Sequence, residues 1–520
     1  MGKILPAYKK ALYEEIFDNI QSNTSAYYAY GSHPIEYPSS VPQVANNAYE
    51  TNFEQNWYML FGKKVQPGDI SPVVKKNIWT TGTVYEKYDS TSNTLEANNN
   101  FYVICDPLID GGQYHVYKCI DNSNGAVSTS NPSLIGLPTQ KATFETSDGY
   151  KWKYLTSVSS LNYDKFESDD YAPINSNASI VATAAEYSGV DVVVISNSGN
   201  GYTSSTNGIV SSVQNTTVIQ IQNDASSSDN FYVNNAIYVY NTIESTSQLR
   251  LITDYVVNAT GRFVYVNTAM DISKITPGIT EYLISPAVVF NTDGDSNPSA
   301  YCLVNDYTTK ISEIVLLDSG SNISWANVEI QSQYGSGANV YAIVPPPGGH
   351  GYDPAIELNM QGIAFNITFA NTELDIIPTA NTLYNKIGIV KNPKYAVSNT
   401  ALGTVTPGDR FYERSFNNLL KASVSPAYTF TAGDIVTGAT SNSLATVVFS
   451  NSSVVHLSGD KTFVNGEYLA NTGGYNVTTI NISTVGDIYT KELQPMYVDN
   501  INNINRKDDQ TETFKLTIEI

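Results

Sequence analysis

Apolar residues near the start of the chain recur at helical spacing, whereas beyond about residue 82 they alternate with polar ones. Leu12, Ile16, Phe17 and Ile20 fall at i, i+4, i+5 and i+8, one amphipathic face, and Pro6 suits a first helical turn. This spacing predicts one short N-terminal helix. A loop rich in Ser, Pro and Tyr follows, through Tyr27-Tyr28-Ala29-Tyr30-Gly31 and Tyr37-Pro38. Residues 57–61 read as a strand, and residues 72–79 as a second short helix with Val73, Val74 and Ile78 on one side. From Gly82 onward the pattern is β. Residues 101–105 and 114–120 predict a hairpin joined through Asp106-Pro107 and Gly111-Gly112. In residues 150–155, Tyr150, Trp152 and Tyr154 share one face and Lys151 and Lys153 the other, a strand half-buried by aromatics. The last eight residues alternate without fault, with Phe514, Leu516, Ile518 and Ile520 on one face. Such a terminal strand completes a sheet.

Between about residues 171 and 360 the composition shifts to Ser, Asn, Gly and Val. The run Val-Val-Ile-Ser-Asn-Ser-Gly at 193–199 is echoed by Ile-Val-Leu-Leu-Asp-Ser-Gly at 314–320, which reads as two similar hairpins. The Pro345-Pro346-Pro347-Gly348-Gly349-His350-Gly351 stretch punctuates the end of this region as a connector. A second β module follows around residues 428–488, its strands separated by Gly433-Asp434, Asn465-Gly466 and Gly473-Gly474. The expected organisation is therefore five segments. Residues 1–173 form an N-terminal framework and 174–360 an inserted β-rich module. Residues 361–427 are a framework segment, 428–488 a small inserted β module, and 489–520 a strand returning to the framework. The expected fold is mainly β: multi-domain antiparallel β-sandwich or barrel modules with a short N-terminal helix.

Composition agrees and narrows function. At 520 residues the chain exceeds one core, and its 41% hydrophobic content suffices for several. Its 38 Tyr and low charged fraction of 15% suit pleated surfaces and polar turns. The formal net charge of −21, with Lys and Arg scattered, opposes binding to a polyphosphate, so no nucleic-acid partner is expected. No apolar run approaches the length of a membrane span, and the start Met1-Gly2-Lys3-Ile4-Leu5-Pro6 lacks an apolar signal core, so a soluble, unexported protein is expected. Three cysteines, Cys105, Cys119 and Cys302, make no disulfide framework and read as small buried hydrophobes.

Candidate chemistry is sparse. The four histidines, His33, His115, His350 and His456, include no His-Glu-x-x-His pair, and no Gly-x-Ser-x-Gly elbow or phosphate loop is present. His350, between two glycines, reads as a turn residue. Asp293-Gly294-Asp295-Ser296-Asn297 imitates half a calcium loop, but Pro298 stands where a glycine is needed, and an Asx-rich turn is the better reading. The pairs Asp169-Asp170 and Asp508-Asp509 do not suit a glycosidase, because neighbours on a strand point to opposite faces. No catalytic residue, metal ligand or cofactor is expected.

Several blocks, in one order, resemble the gene-product-8 type of baseplate wedge subunit of T-even-like contractile-tailed phages. Asp148-Gly149-Tyr150-Lys151-Trp152-Lys153-Tyr154-Leu155 matches that family's Asp-Gly-Tyr-x-Trp-x-Tyr-Leu run. Val116-Tyr117-Lys118-Cys119-Ile120-Asp121 is similar to its Val-Tyr-Arg-Cys-Leu-Asp strand, and Cys105 falls where the family can carry a preceding cysteine. Ile387-Gly388-Ile389-Val390-Lys391-Asn392-Pro393 resembles a segment ending in Asn-Pro. Tyr497-Val498-Asp499-Asn500 and Asp509-Gln510-Thr511-Glu512 resemble the family's C-terminus. The likeness spans roughly residues 10–170, 360–395 and 490–520, and the chain departs from it by longer segments at about 174–360 and 396–490. It implies a mainly β, homodimeric, non-enzymatic structural subunit packed among other baseplate wedge proteins. Such a subunit is assembled in the host cytoplasm and resides in the virion tail. The alternative is a tail-associated protein that binds or cleaves glycans, its exposed Tyr and Trp stacking on sugars.

Overall fold

A computed structural model describes residues 4–33, 42, 44, 45, 48, 56–90, 92, 100–106, 112–134, 143–175, 189–370, 383–396, 406–471, 476–507 and 510–520. The fold is mainly β, with antiparallel sheets, a closed barrel and few helices. The chain packs as two compact units. One gathers Met1–Val74, Asn162–Ile174 and Met360–Ile520; the other gathers Lys75–Leu161 and Asn175–Asn359.

The first unit opens with the helix Pro6–Gln21, proline in its first turn, burying Tyr13 and Ile20. The chain then enters a five-stranded sheet in the order Ser415–Asn417, Met59–Lys64, Tyr27–Ser32, Leu383–Lys391, Gln494–Asn505. Sequence alternation alone does not explain this sheet, because Tyr27–Ser32 is buried at every position. Glycines facing aromatic rings explain it. Tyr30 lies opposite both Gly62 and Gly388, and a Cβ on Gly388 would come within 2.7 Å of the Tyr30 ring. A Cβ on Gly62 would come within 2.4 Å of the Phe416 ring. Each bulky ring thus occupies the space that a neighbouring strand leaves vacant.

A second sheet in this unit runs Glu512–Glu519, Gly362–Phe369, Ile70–Lys75, Tyr171–Pro173. Residues 70–75 are strand rather than the expected helix at 72–79. Pro72 and the β-branched Val73 and Val74 disfavour helix, and the segment pairs in register with residues 362–365. The strand expected at 57–61 begins two residues later and runs Met59–Lys64. In the C-terminal strand Phe514 and Leu516 are buried, whereas Ile518 and Ile520 are only half-buried. Phe514 joins Phe61, Phe369 and Tyr384 in a ring cluster, with centroids 4.6–6.2 Å apart.

A six-stranded closed barrel is the third element of this unit, from Leu420–Ser425 to Asn476–Thr484, with the last strand closing on the first. Leu420, Val436, Val447, Val455, Leu457, Leu469 and Ile480 fill it. Its two ends meet: Asn417 N donates to Asp487 Oδ2 at 2.7 Å, and Asp487 N donates to Asn417 O at 3.2 Å. Gly433 and Gly466 take positive φ in its turns, as their positions predict, while Gly473-Gly474 lie outside the described residues.

In the second unit, Tyr102–Cys105, Gln113–Asn122, Tyr150–Ser159 and Phe144–Glu145 form a four-stranded sheet. The predicted pairing of 101–105 with 114–120 is direct, with Cys105 opposite His115. Residues 189–344 build two further cores. Val210, Ile219, Ile237, Tyr255, Val264, Tyr282 and Ile284 fill one; Val190, Val193, Val288, Ala300, Cys302, Ile311 and Val340 fill the other. The twelve-residue strand Glu281–Thr292 serves both, its first half pairing with Asn235–Asn241 and its second with Ala326–Gln331. Gly199 and Gly320 both take positive φ, Gly320 just after its strand but Gly199 still inside its own, and the echoed segments do not form two local hairpins. Val192–Asn200 pairs with the distant Ser336–Ile343, and Lys310–Asp318 with the preceding Ser299–Asn305. The strand–glycine signal marks a strand and leaves its partner open.

Because the barrel's ends are hydrogen-bonded neighbours, replacing residues 420–484 by a short glycine linker should leave the remainder soluble and folded. All four tryptophans (57, 79, 152 and 325) lie outside it, so the emission maximum should not change. Removing residues 512–520 should be far more damaging. Loss of Phe514 and Leu516 costs about 3–6 kcal/mol, which denaturant titration of the first unit would register.

Candidate functional site

The wedge-like block begins at a tight turn. Gly149 has φ +81, and a Cβ there would lie 2.7 Å from Ser123 Oγ, so both backbone and space demand glycine. Asp148 organises the loop beside it. Its Oδ2 accepts from Thr129 N (2.7 Å), Ser130 N (2.9 Å) and Ser128 Oγ (3.1 Å). Its Oδ1 accepts from Thr146 Oγ1 (2.5 Å) and Tyr150 N (3.3 Å). Partial burial works to raise the pKa of this carboxyl, but the hydrogen bonds outweigh it and hold it below the usual range. Tyr150 and Trp152 are fully buried and stacked, with centroids 5.4 Å apart, and Tyr85 packs edge-on against Trp152. Cys105, Cys119, Val103 and Tyr117 complete this core, with Tyr154 half-buried at its margin. Both thiols are buried and free, and burial pushes Cys105 up to about 12. These residues pack and turn the chain, and burial keeps both thiols protonated.

The C-terminal block is also structural. Glu512 accepts from buried Arg506 Nε at 3.2 Å, Arg506 also donates to Gln510 O at 3.2 Å, and Gln510 Oε1 accepts from Lys507 N. Burial raises the Glu512 pKa against the pull of Arg506. Thr511 lies in the link between the last two strands, and Asp509, like Asp508, lies outside the described residues.

A second constellation was missed in the sequence. The strand Tyr150–Ser159 was expected to show its lysine face to solvent, yet Lys153 is buried, and so is Lys118 opposite it. Lys118 belongs to a buried cluster of charges. Lys118 Nζ lies 2.5 Å from Glu357 Oε1, and the same oxygen is 2.5 Å from His350 Nδ1. His350 Nε2 lies 2.7 Å from Asp191 Oδ2, and Glu357 Oε2 accepts from Gly351 N at 2.8 Å. The Tyr88 ring sits 3.7 Å below the ammonium and edge-on to the imidazole. All four charged side chains are at most 7% exposed.

The flanking Gly349 and Gly351 do take positive φ, but His350 is the hub of this network rather than a surface turn residue. The helical turn Pro354–Glu357, capped by Asp353, delivers Glu357. Desolvation lowers Lys118 despite Glu357. It also opposes ionisation of Glu357, yet Lys118 and His350 outweigh it and hold that carboxyl down at about 2. Burial and Lys118 disfavour the imidazolium, but Asp191 and Glu357 prevail and raise His350. Both imidazole nitrogens and the shared carboxylate oxygen are committed within the cluster. Of the three shifted groups only His350 holds its proton more tightly than usual, and the cluster is closed on itself and buried.

No protein-family model matches the sequence, and neither does any curated protein.

The remaining candidates are turn and core chemistry. Asp293 caps the 324–325 backbone, accepting from Ser324 N (2.9 Å) and Trp325 N (3.1 Å), and Asp295 accepts from Asn322. Asp169 and Asp170 sit in an exposed turn. His115 Nδ1 and Tyr154 OH both meet Ser157 Oγ, at 2.6 and 2.8 Å. Burial and Lys421 push buried His456 down to about 4. Among the described residues no group of three His, Cys, Asp or Glu is placed to hold a metal, and no helix is long and apolar enough to cross a membrane.

Two substitutions test the loop. Gly149→Ala should cost about 1–2 kcal/mol through the strained φ, read as a lowered denaturation midpoint. Asp148→Ala strands backbone donors and should cost about 2–3 kcal/mol. Because the folded pKa of Asp148 is depressed, its contribution is present above the ordinary carboxylate pKa and lost as pH falls through the folded value. Asp148→Asn should therefore flatten the acid limb of the stability profile.

Proposed function

We propose that this chain is a non-enzymatic structural subunit of a contractile-tail baseplate, of the wedge type, working as a homodimer among other wedge proteins in the virion. The observation that carries the reading is the role of the wedge-like residues. Asp148, Gly149, Tyr150 and Trp152 shape a loop and a core, and Gln510 and Glu512 fasten the last strand. A likeness that rests on packing and turns speaks for a shared scaffold, not for a shared active site. The segments bearing it also come from distant parts of the sequence, and a scaffold assembled in that way accommodates long β insertions. Acidic, polar surfaces without basic clusters suit dense protein packing better than nucleic acid.

The glycan reading retains one supporting observation. Trp325, Tyr307 and Tyr334 are exposed on the 189–344 module, where aromatic faces could stack on sugars.

Antibody raised against the purified chain should label the baseplate end of contractile tails and follow whole virions through a density gradient. Signal confined to free protein would overturn the structural assignment. Release of reducing ends from host polysaccharide, abolished by one carboxylate substitution, would overturn the non-enzymatic part.

A further inference from the structure

We propose that the Lys118–Glu357–His350–Asp191 cluster is a pH-operated latch. It fastens the sheet of residues 102–159 to the segments that open the strand Val192–Asn200 and close at the turn Pro354–Glu357. It releases when His350 gives up its proton.

The geometry supports a two-sided device. Lys118 and Tyr88 come from the sheet side of the second unit; Asp191, His350 and Glu357 come from the segment 175–359. A neighbouring contact repeats the polar pattern, with Tyr341 OH on Asp89 Oδ2 at 3.3 Å. The titratable and charged groups around His350 are thus Lys118 from Gln113–Asn122, Tyr88 and Asp89 from the loop before the sheet, Asp191, and Glu357. With His350 protonated, two cations face two carboxylates and the buried cluster is neutral. With His350 neutral, Asp191 loses the cation it faces 2.7 Å away in a dry site, a condition that buried pairs tolerate poorly.

The sign follows from the direction of each shift. The folded pKa of His350 is raised, so its stabilisation is fully present below the ordinary imidazole value and lost as pH rises through the folded value. Glu357 is depressed to about 2, so its contribution is present above the ordinary carboxyl value and lost only on strong acidification. Lys118, whose charged form burial disfavours, gives a slope of the opposite sign. The loss of protection with rising pH is therefore the signature of His350, and the latch is closed below the ordinary imidazole value.

Hydrogen–deuterium exchange on the full chain between about pH 5 and pH 9 tests this, with rates corrected for intrinsic exchange and the strands Val218–Ile221 and Gly261–Val266 as internal reference. Protection of residues 113–122, 150–159 and 350–358 relative to those strands should fall about tenfold for each pH unit's worth of lost coupling. His350→Gln should remove the pH dependence and leave protection low throughout. Should that variant not fold, Asp191→Asn serves instead: without the carboxylate the imidazolium is less favoured and the transition must move to lower pH. A wild-type ratio that stays flat across the range overturns the latch. So does a transition that keeps its pH in Asp191→Asn, because another group would then be the trigger.

Discussion

Four aromatic rings hold the first unit together, joining strands that enter it from separate parts of the chain. Phe61 stands some three hundred residues or more before Phe369, Tyr384 and Phe514, yet the four rings pack edge-to-face and tilted within one cluster. Closing so large a loop is entropically cheap per added residue, since the cost grows only with the logarithm of its length. The contact at its ends must still repay that cost, and large rings in a dry site do so. Once those ends are fixed, the intervening chain is free to fold upon itself. The barrel illustrates this, entering and leaving through one pair of hydrogen bonds between Asn417 and Asp487.

The same physics explains what was legible in the sequence. Alternation identified the C-terminal strand and the Tyr150–Ser159 strand, and turn glycines marked most β segments, because a half-buried strand must alternate and a reversal needs positive φ. The N-terminal helix was equally plain from its periodic face. Where the reading failed, the deciding information was nonlocal. Val73 and Val74 suit one side of a short helix as well as they suit a strand, and only the partner at 362–365 decides between them. The echoed segments 193–199 and 314–320 announce a strand but carry no register, and their partners lie on different strands. Tyr30 and Gly388 are separated by most of the chain, so their fit as ring and vacancy is invisible until they meet.

The charged cluster was illegible for a sharper reason. Lys118 sits between the apolar pairs Val116-Tyr117 and Cys119-Ile120 in a strand without strict alternation, so its side chain has no face assigned by the pattern. His350 sits between glycines, which explains its loop without reference to its side chain. Two clues were on the page: a histidine embedded in so rigid a loop, and a carboxylate seven residues on in a turn opened by Asp353-Pro354. Neither specifies a partner. Asp191 comes from another segment again, so four residues that act as one buried group had nothing in common locally.

Replacing such a cluster with apolar residues of similar volume is often neutral or stabilising, whereas removing one member costs about 3–5 kcal/mol because a charge is left unpaired. Stability alone therefore does not account for a buried Lys–Glu–His–Asp arrangement in a chain with ample apolar cores of its own. What the ionic arrangement adds is directionality: a 2.5 Å contact shared by Lys118 and His350 at one carboxylate oxygen fixes the sheet in a single register against its neighbour. An apolar contact of the same area tolerates sliding. The turn at Gly149, where a Cβ would meet Ser123, and the glycine–ring interlocks of the first unit serve the same end, each leaving room for one arrangement of backbone and side chain.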